Sequence, residues 1–225
     1  MLVTGCGRSG TNYLAICLER SGYSIKHEQP GEDGTVSWPM AVNSYSPWGP
    51  ESEDHFEHIF HQVRNPLAVI TSWIVNLNDV TRDEWVFIRH HIPEIHPEDP
   101  LIVQCAKYWY YWNLLVEQKA EWRFPIEDFE EVLPEFTKRS GLVLDRQELK
   151  QIPKNFNSWR KIQNRITWND LKVHLPKDLY RNIWEMACRY GYISNTKKFH
   201  LSEEKESESS SESSEYTKEG CCSLS

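Results

Sequence analysis

Short apolar runs alternate with amphipathic stretches along this chain, in the rhythm of strands followed by helices. Met1 to Thr4 is a brief apolar start, short for a central strand. Leu14, Cys17 and Leu18 then recur at helical spacing, with Gly22 as the stop. Tyr23 to His27 reads as a second strand, Ile59 to Val63 as a third and Arg123 to Ile126 as a fourth. Residues 29–57 are rich in Pro, Gly, Ser and acid, and are expected to form one long loop of the kind that usually carries function.

Helix signals fill the intervals. Asn65-Pro66 offers an N-cap followed by Pro at the first helical position, which predicts a helix running through Trp73. Ile102, Cys105, Trp109, Trp112 and Val116 predict a long helix from Leu101 to Lys119. Glu131 to Arg139 reads as another, stopped by Gly141. Leu179, Ile183, Met186, Ala187 and Tyr190 form an amphipathic stripe that ends at Gly191. Together these elements predict one α/β domain over residues 1–199, a central parallel sheet flanked by helices. From His200 onward Ser and Glu dominate. Such a segment buries too little apolar surface to offset its ordering entropy, so 200–225 is expected to be a disordered tail.

Composition sharpens this picture in two places. The net charge is −8, but residues 201–225 hold seven Glu and two Lys, or −5, which leaves only −3 on the other 200 residues. No basic excess marks a nucleic-acid binder, so no nucleic-acid partner is expected. The six cysteines are scattered without zinc spacing, and neither a signal peptide nor a long apolar span is present. A reducing, cytoplasmic setting is therefore expected.

The candidate chemistry starts at Gly5-Cys6-Gly7-Arg8-Ser9-Gly10-Thr11-Asn12, between a strand and a helix. Glycines there let backbone N–H groups converge on an anion, and the helix N-terminus adds its positive end. Gly5 and Gly10 have Walker A spacing. Yet Thr11 stands where that motif places Lys, and Asn12 where it places the magnesium-binding hydroxyl. The cation is Arg8, inside the loop. A phosphoryl-transfer loop needs that Lys and a metal ligand, so their absence leaves no metal expected. His55, His58 and His61 share no common face, and His90, His91 and His96 are interrupted by prolines. The aromatic run Tyr108 to Trp112 is expected to pack in the core.

Arg8-Ser9-Gly10-Thr11 resembles the 5′-phosphosulfate loop of the sulfotransferases that use 3′-phosphoadenosine 5′-phosphosulfate (PAPS) and release 3′-phosphoadenosine 5′-phosphate (PAP). Val63-Arg64-Asn65-Pro66 is similar to that family's R-[DN]-P signature, and Ser72 follows Arg64 at its eight-residue interval. Arg123-Phe124-Pro125-Ile126-Glu127-Asp128-Phe129 resembles its late strand. The late cofactor loop, R-K-G-x-x-G in the family, departs at Arg160-Lys161-Ile162, with Arg165 as a possible substitute. The resemblance spans about residues 2–192. It implies PAPS as sulfuryl donor, with Gly7, Arg8, Ser9, Gly10, Thr11 and Asn12 around the 5′ end. It also implies Arg64 and Ser72 on the 3′-phosphate, and Arg160 and Arg165 on the adenosine side. A catalytic base is implied at the tip of the second strand, where Glu28 ranks first and His27 second, with Arg8 as the catalytic cation. The acceptor would be a small molecule or carbohydrate bearing a hydroxyl or amine. Two other functions use the same pocket, a PAP-binding protein without turnover and a small-molecule P-loop kinase. The terminus Cys221-Cys222-Ser223-Leu224-Ser225 satisfies a prenylation pattern. It leaves peripheral membrane attachment through Cys221 and Cys222 open beside a purely solubilising tail.

Overall fold

The computed structural model describes residues 1–42, 56–75, 82–152 and 165–193. All of them fall within the compact unit Met1–Ser194. The Ser/Glu-rich tail, its two terminal cysteines and Arg160 lie outside the described residues.

In chain order the elements are β1 (Leu2–Thr4), α1 (Thr11–Arg20), β2 (Ile25–His27), β3 (Gly34–Val36), β4 (Ile59–Val63), α2 (Pro66–Val75) and α3 (Arg82–His91). They continue with α4 (Leu101–Glu117), β5 (Trp122–Pro125), α5 (Phe129–Ser140), α6 (Arg146–Gln151), α7 (Trp168–His174) and α8 (Lys177–Arg189). The strands pair in the order β2-β3-β1-β4-β5, and every pairing is parallel.

Alternation along the strands builds two faces. Register aligns Val3 with both Val36 and Phe60, and Gln62 with Phe124. This face gathers Ile25, Val3, Phe60 and Phe124 with Leu14 and Leu18 of α1, Phe129, Leu133 and Phe136 of α5, and Leu149 of α6 in one core. The opposite face carries His61 and Val63. Beyond it lies a second core of Trp73 from α2, Trp85 and Ile88 from α3, Trp109 and Trp112 from α4, Leu171 from α7 and Ile183 from α8. Helices therefore cover both faces, as the strand–helix alternation predicts for an α/β parallel sheet.

Three differences from the sequence expectations matter. Residues 34–36, expected within one long loop, form β3, and 39–41 form a 3₁₀ turn. A three-residue strand in a Gly- and acid-rich context leaves no periodicity to detect. Its insertion makes the very short β1 a central strand after all, with β3 on one side and β4 on the other. Three helices, α3, α6 and α7, had no counterpart among the expected elements. The aromatic run behaves as core, since Tyr108, Trp109 and Trp112 are fully buried.

The chain leaves β1 for one side of the sheet and later returns to its other side. β1 is thus the topological switch point, and the crevice beyond its carboxyl end is where open α/β sheets bind ligands. The glycine-rich loop, His27-Glu28, Arg64 and Glu127 all follow the carboxyl ends of strands on that one edge.

Candidate active site

The loop begins where β1 stops. Gly5 is required by crowding, because a β-carbon there would lie 2.0 Å from the Gln62 backbone oxygen. Gly10 takes φ 90° and precedes α1 with no side-chain cap. The first bonded amide of α1 is Leu14, whose N–H donates to Gly10 O. The N–H groups of Thr11, Asn12 and Tyr13 are thus the orphan donors of a helix start.

Three side chains hold the loop by its carbonyls. Trp73 Nε1 donates to Gly7 O at 3.1 Å, Arg64 Nη1 to Arg8 O at 2.9 Å, and Gln62 Nε2 to Ser9 O at 2.7 Å. A trans peptide points its N–H opposite its C=O. Tying back the Gly7 and Ser9 carbonyls therefore turns the Arg8 amide away from Trp73 and the Gly10 amide away from Gln62. Two further loop amides are used internally. Gly7 N–H donates to the Tyr108 hydroxyl at 2.9 Å, and Ser9 N–H to Cys6 O at 3.1 Å. The Tyr108 hydroxyl is also hydrogen-bonded with the Cys6 thiol, and burial pushes both of those groups well above their ordinary pKa, so they stay neutral.

Arg8 stands out from this cradle. Its φ of 68° is left-handed, a conformation that costs a non-glycine residue about 1–2 kcal/mol. The guanidinium lies 5.6 Å from the Trp73 ring centroid, a cation–π support that leaves its N–H groups for other partners. Among the described residues no carboxylate lies within ion-pair distance of it.

His27 and Glu28 leave the tip of β2 beside the loop. His27 Nε2 lies 3.0 Å from Thr11 Oγ1 and 3.4 Å from Glu28 Oε1. Burial lowers the His27 pKa to about 4, so the ring is neutral at physiological pH. Glu28 is pushed up to about 6, chiefly by burial and then by the nearby Glu84 carboxylate, against the opposing pull of Arg8 and a hydrogen bond from Trp38. Glu28 also has a positive φ, 56°. Both non-glycine residues with this backbone conformation among the described residues are therefore candidate catalytic groups. A carboxylate with a pKa near 6, beside a cation and a row of amides, can accept a proton while the amides stabilise developing negative charge.

The second motif folds as its sequence implies. Asn65 Oδ1 accepts from Leu67 N–H at 3.0 Å, so Asn65 caps α2 ahead of Pro66. Asn65 N–H donates to Glu127 Oε1 at 3.0 Å, and the Tyr192 hydroxyl donates to Glu127 Oε2 at 3.0 Å. Arg64 is half-buried and spends one of its five donors on the loop. Ser72 is half-buried on α2. Its neighbour Thr71 accepts from Ile166 N–H at 3.0 Å, which brings the exposed Arg165 alongside α2. Asn12 is half-buried in the first turn of α1, and Ser9 and Thr11 are buried.

Four contributors escaped the sequence reading. Gln62, Trp73 and Tyr108 hold the loop, and Glu84 of α3 tunes Glu28. Their one available signal was a Gln and a His inside an otherwise apolar parallel strand, where continuous apolar runs are the rule. That His is His61, which lies 2.9 Å from Asn113 Oδ1 on α4. Among the described residues no three metal-ligating side chains come together, and no helix is long and apolar enough to cross a membrane.

No protein-family model matches the chain, and no curated protein matches it significantly. Among solved structures it is similar to mouse sulfotransferase SULT7A1 complexed with PAP, at 14% identity and a TM-score of 0.37, over 79% of this chain and 67% of that one. Likeness at that level carries no argument about chemistry, so the functional case rests on the loop and the groups around it.

Proposed function

We propose that the chain is a sulfotransferase that binds PAPS and transfers its sulfuryl group to a hydroxyl or amine of a small-molecule or carbohydrate acceptor. The observation that carries this reading is the loop clamp. The carbonyls of Gly7, Arg8 and Ser9 are each tied to a side chain, which leaves the Arg8 and Gly10 amides turned away from those clamps beside the start of α1, with Arg8 as the loop's cation. That arrangement suits an anion. The absence of a Walker Lys and of the neighbouring hydroxyl disfavours a phosphoryl-transfer loop.

In this reading Glu28 takes the acceptor proton as the acceptor atom attacks sulfur. The bond between sulfur and the bridging 5′-phosphate oxygen breaks, and PAP leaves with that electron pair. Arg8 and the loop amides stabilise the charge gathering on the leaving oxygen. Thr11 and neutral His27 hold the base beside the loop. In the same reading Arg64 and Ser72 hold the 3′-phosphate, with Arg165 on the adenosine side.

Calorimetry with PAP, AMP and ADP tests the cofactor. PAP is expected to bind at least tenfold more tightly than AMP, and saturating PAP at 100 times its Kd should stabilise the fold by about 2.7 kcal/mol. Equal affinity for PAP and AMP would overturn the assignment. Transfer of radiolabelled sulfate from PAPS to a panel of alcohols and amines then separates turnover from mere binding.

A further inference from the structure

Gln62 lies on the α1-facing side of β4, in register with Phe124 and two residues beyond Phe60, both apolar and buried. It is itself fully buried, at 0% exposure. An amide placed there must find partners, and this one finds few. Nε2 donates to Ser9 O, but Oε1 is buried with no hydrogen-bond partner. Ser9, the residue it holds, carries a second such atom in its Oγ, at 1% exposure. Unpaired buried acceptors and hydroxyls cost folding free energy, so the unpaired Oε1 offsets what the bond to Ser9 O contributes. Folding alone therefore gives little reason for Gln at this position.

The loop does give one. Nε2 sits 3.5 Å from where a Gly10 β-carbon would stand, directly under the Ser9–Gly10 peptide. Holding Ser9 O downward turns Gly10 N–H up toward the ligand side. Of the three clamping side chains, Trp73 also supports Arg8, and Arg64 keeps further donors for the 3′-phosphate in the PAPS reading. Gln62 is buried beneath the loop and serves only the peptide. We propose that Gln62 is a positioning residue for the anion loop, which aims the Gly10 amide at the bound 5′-phosphosulfate at the expense of two unpaired buried atoms. The ligand named here rests on the PAPS reading, whereas the clamp itself does not.

The test separates binding from folding in Gln62→Met, a variant of similar shape without the amide. PAP affinity should fall at least tenfold, while the Tm of the unliganded protein stays level, the lost bond to Ser9 O being offset by removal of the unpaired Oε1. Hydrogen exchange at the Gly7 and Ser9 amides, both bonded within the clamped loop, should quicken in that variant, with exchange in β5 unchanged. Gln62→Glu gives an independent arm. Its carboxylate repels Ser9 O, but the protonated acid can donate to it, so PAP binding should recover as pH falls while wild-type binding does not improve. Unchanged PAP affinity in Gln62→Met would overturn the proposal. So would a lowered Tm accompanied by unchanged loop exchange, which would make Gln62 an ordinary structural residue. If wild type binds no PAP, the proposed function fails, and loop exchange in Gln62→Met still decides whether the clamp exists.

Discussion

The loop after β1 and the tip of β2 face each other across the same crevice, yet they are built in opposite ways. The loop follows a central strand and is held by hydrogen bonds from Gln62, Arg64 and Trp73 and to Tyr108. Its shape is set before any ligand arrives, which is how preorganised donors avoid reorganisation cost at the moment of reaction. The β2 tip follows a three-residue edge strand. Its Glu28 side chain keeps 34% exposure, and its contacts are single bonds to His27 and Trp38. A fixed donor side and an open acceptor side suit an enzyme with one constant cosubstrate and an acceptor that must enter from solvent.

Arg8→Ala attacks the rigid side at its one projecting cation, and should give the largest effect. Turnover of PAPS with any working acceptor should fall about 10²–10³-fold, the scale of losing one preorganised donor to a developing charge. Trp73 keeps its bond to Gly7 O in that variant, so the loop itself should persist. An Arg8→Ala enzyme with the wild-type rate would break the comparison, since the cradle would then do without its cation.

On the open side, Glu28→Gln should lower kcat about 10²-fold while leaving PAP affinity within twofold. The pH profile sharpens the point. A base with a pKa of about 6 makes kcat/KM rise through pH 6, whereas His27, with a pKa of about 4, would leave the rate flat above pH 5. A flat profile, with His27→Ala as the dead variant, would transfer the role of base to His27.

What could be read in advance follows the same division. The loop motif was legible because its chemistry is local: glycines, one cation and a helix start within eight residues. The Arg64-Asn65-Pro66 turn was legible for the same reason, and its cap is present. Tyr108 is 101 residues from Gly7, and no local pattern announces that a buried aromatic will spend its hydroxyl on a loop amide. Gln62 and Trp73 act through tertiary placement in the same way. β3 was missed because three residues carry no period. α3 was missed although Trp85, Ile88 and Ile92 are spaced for a helix and all are buried, because the Arg-, Asp- and His-rich segment around them obscured the stripe.

Arg64 clamps Arg8 O and, in the proposed reading, also meets the 3′-phosphate, which makes its substitution a finer probe. Arg64→Ala should weaken PAP binding by about 1.5–3 kcal/mol, the scale of a charge-assisted hydrogen bond. The ratio of PAP to AMP affinity is the informative quantity. If Arg64 also meets the 3′-phosphate, the preference for PAP collapses in the variant. If Arg64 only clamps Arg8 O, PAP and AMP weaken together and the preference survives, and the 3′ role must pass to another group.

The smallest effect is the pH dependence of stability at the β2 tip, where two neighbours pull in opposite directions. His27 has a folded pKa of about 4 against an ordinary 6.5, so below pH 6.5 the unfolded chain takes up a proton that the fold refuses. Stability is therefore lost as pH falls from about 6.5 to about 4. Glu28 has a folded pKa of about 6 against 4.5, so the fold holds a proton that the unfolded chain releases, and stability is lost as pH rises from about 4.5 to about 6. In the window between 4.5 and 6 the two contributions oppose each other. With the side chain 30% exposed, water offsets part of the His27 contribution, which leaves about 1–2 kcal/mol. Differences in Tm between variants and wild type, measured at pH 7 and pH 5, cancel the titration of the rest of the molecule. Glu28→Gln should lose more stability than wild type between pH 7 and pH 5, because the His27 loss is then unopposed. His27→Gln should lose less. Identical Tm differences at the two pH values for both variants would mean that neither group is buried enough to titrate differently in the fold, and the base at the β2 tip would then have an ordinary carboxylate pKa rather than one near 6.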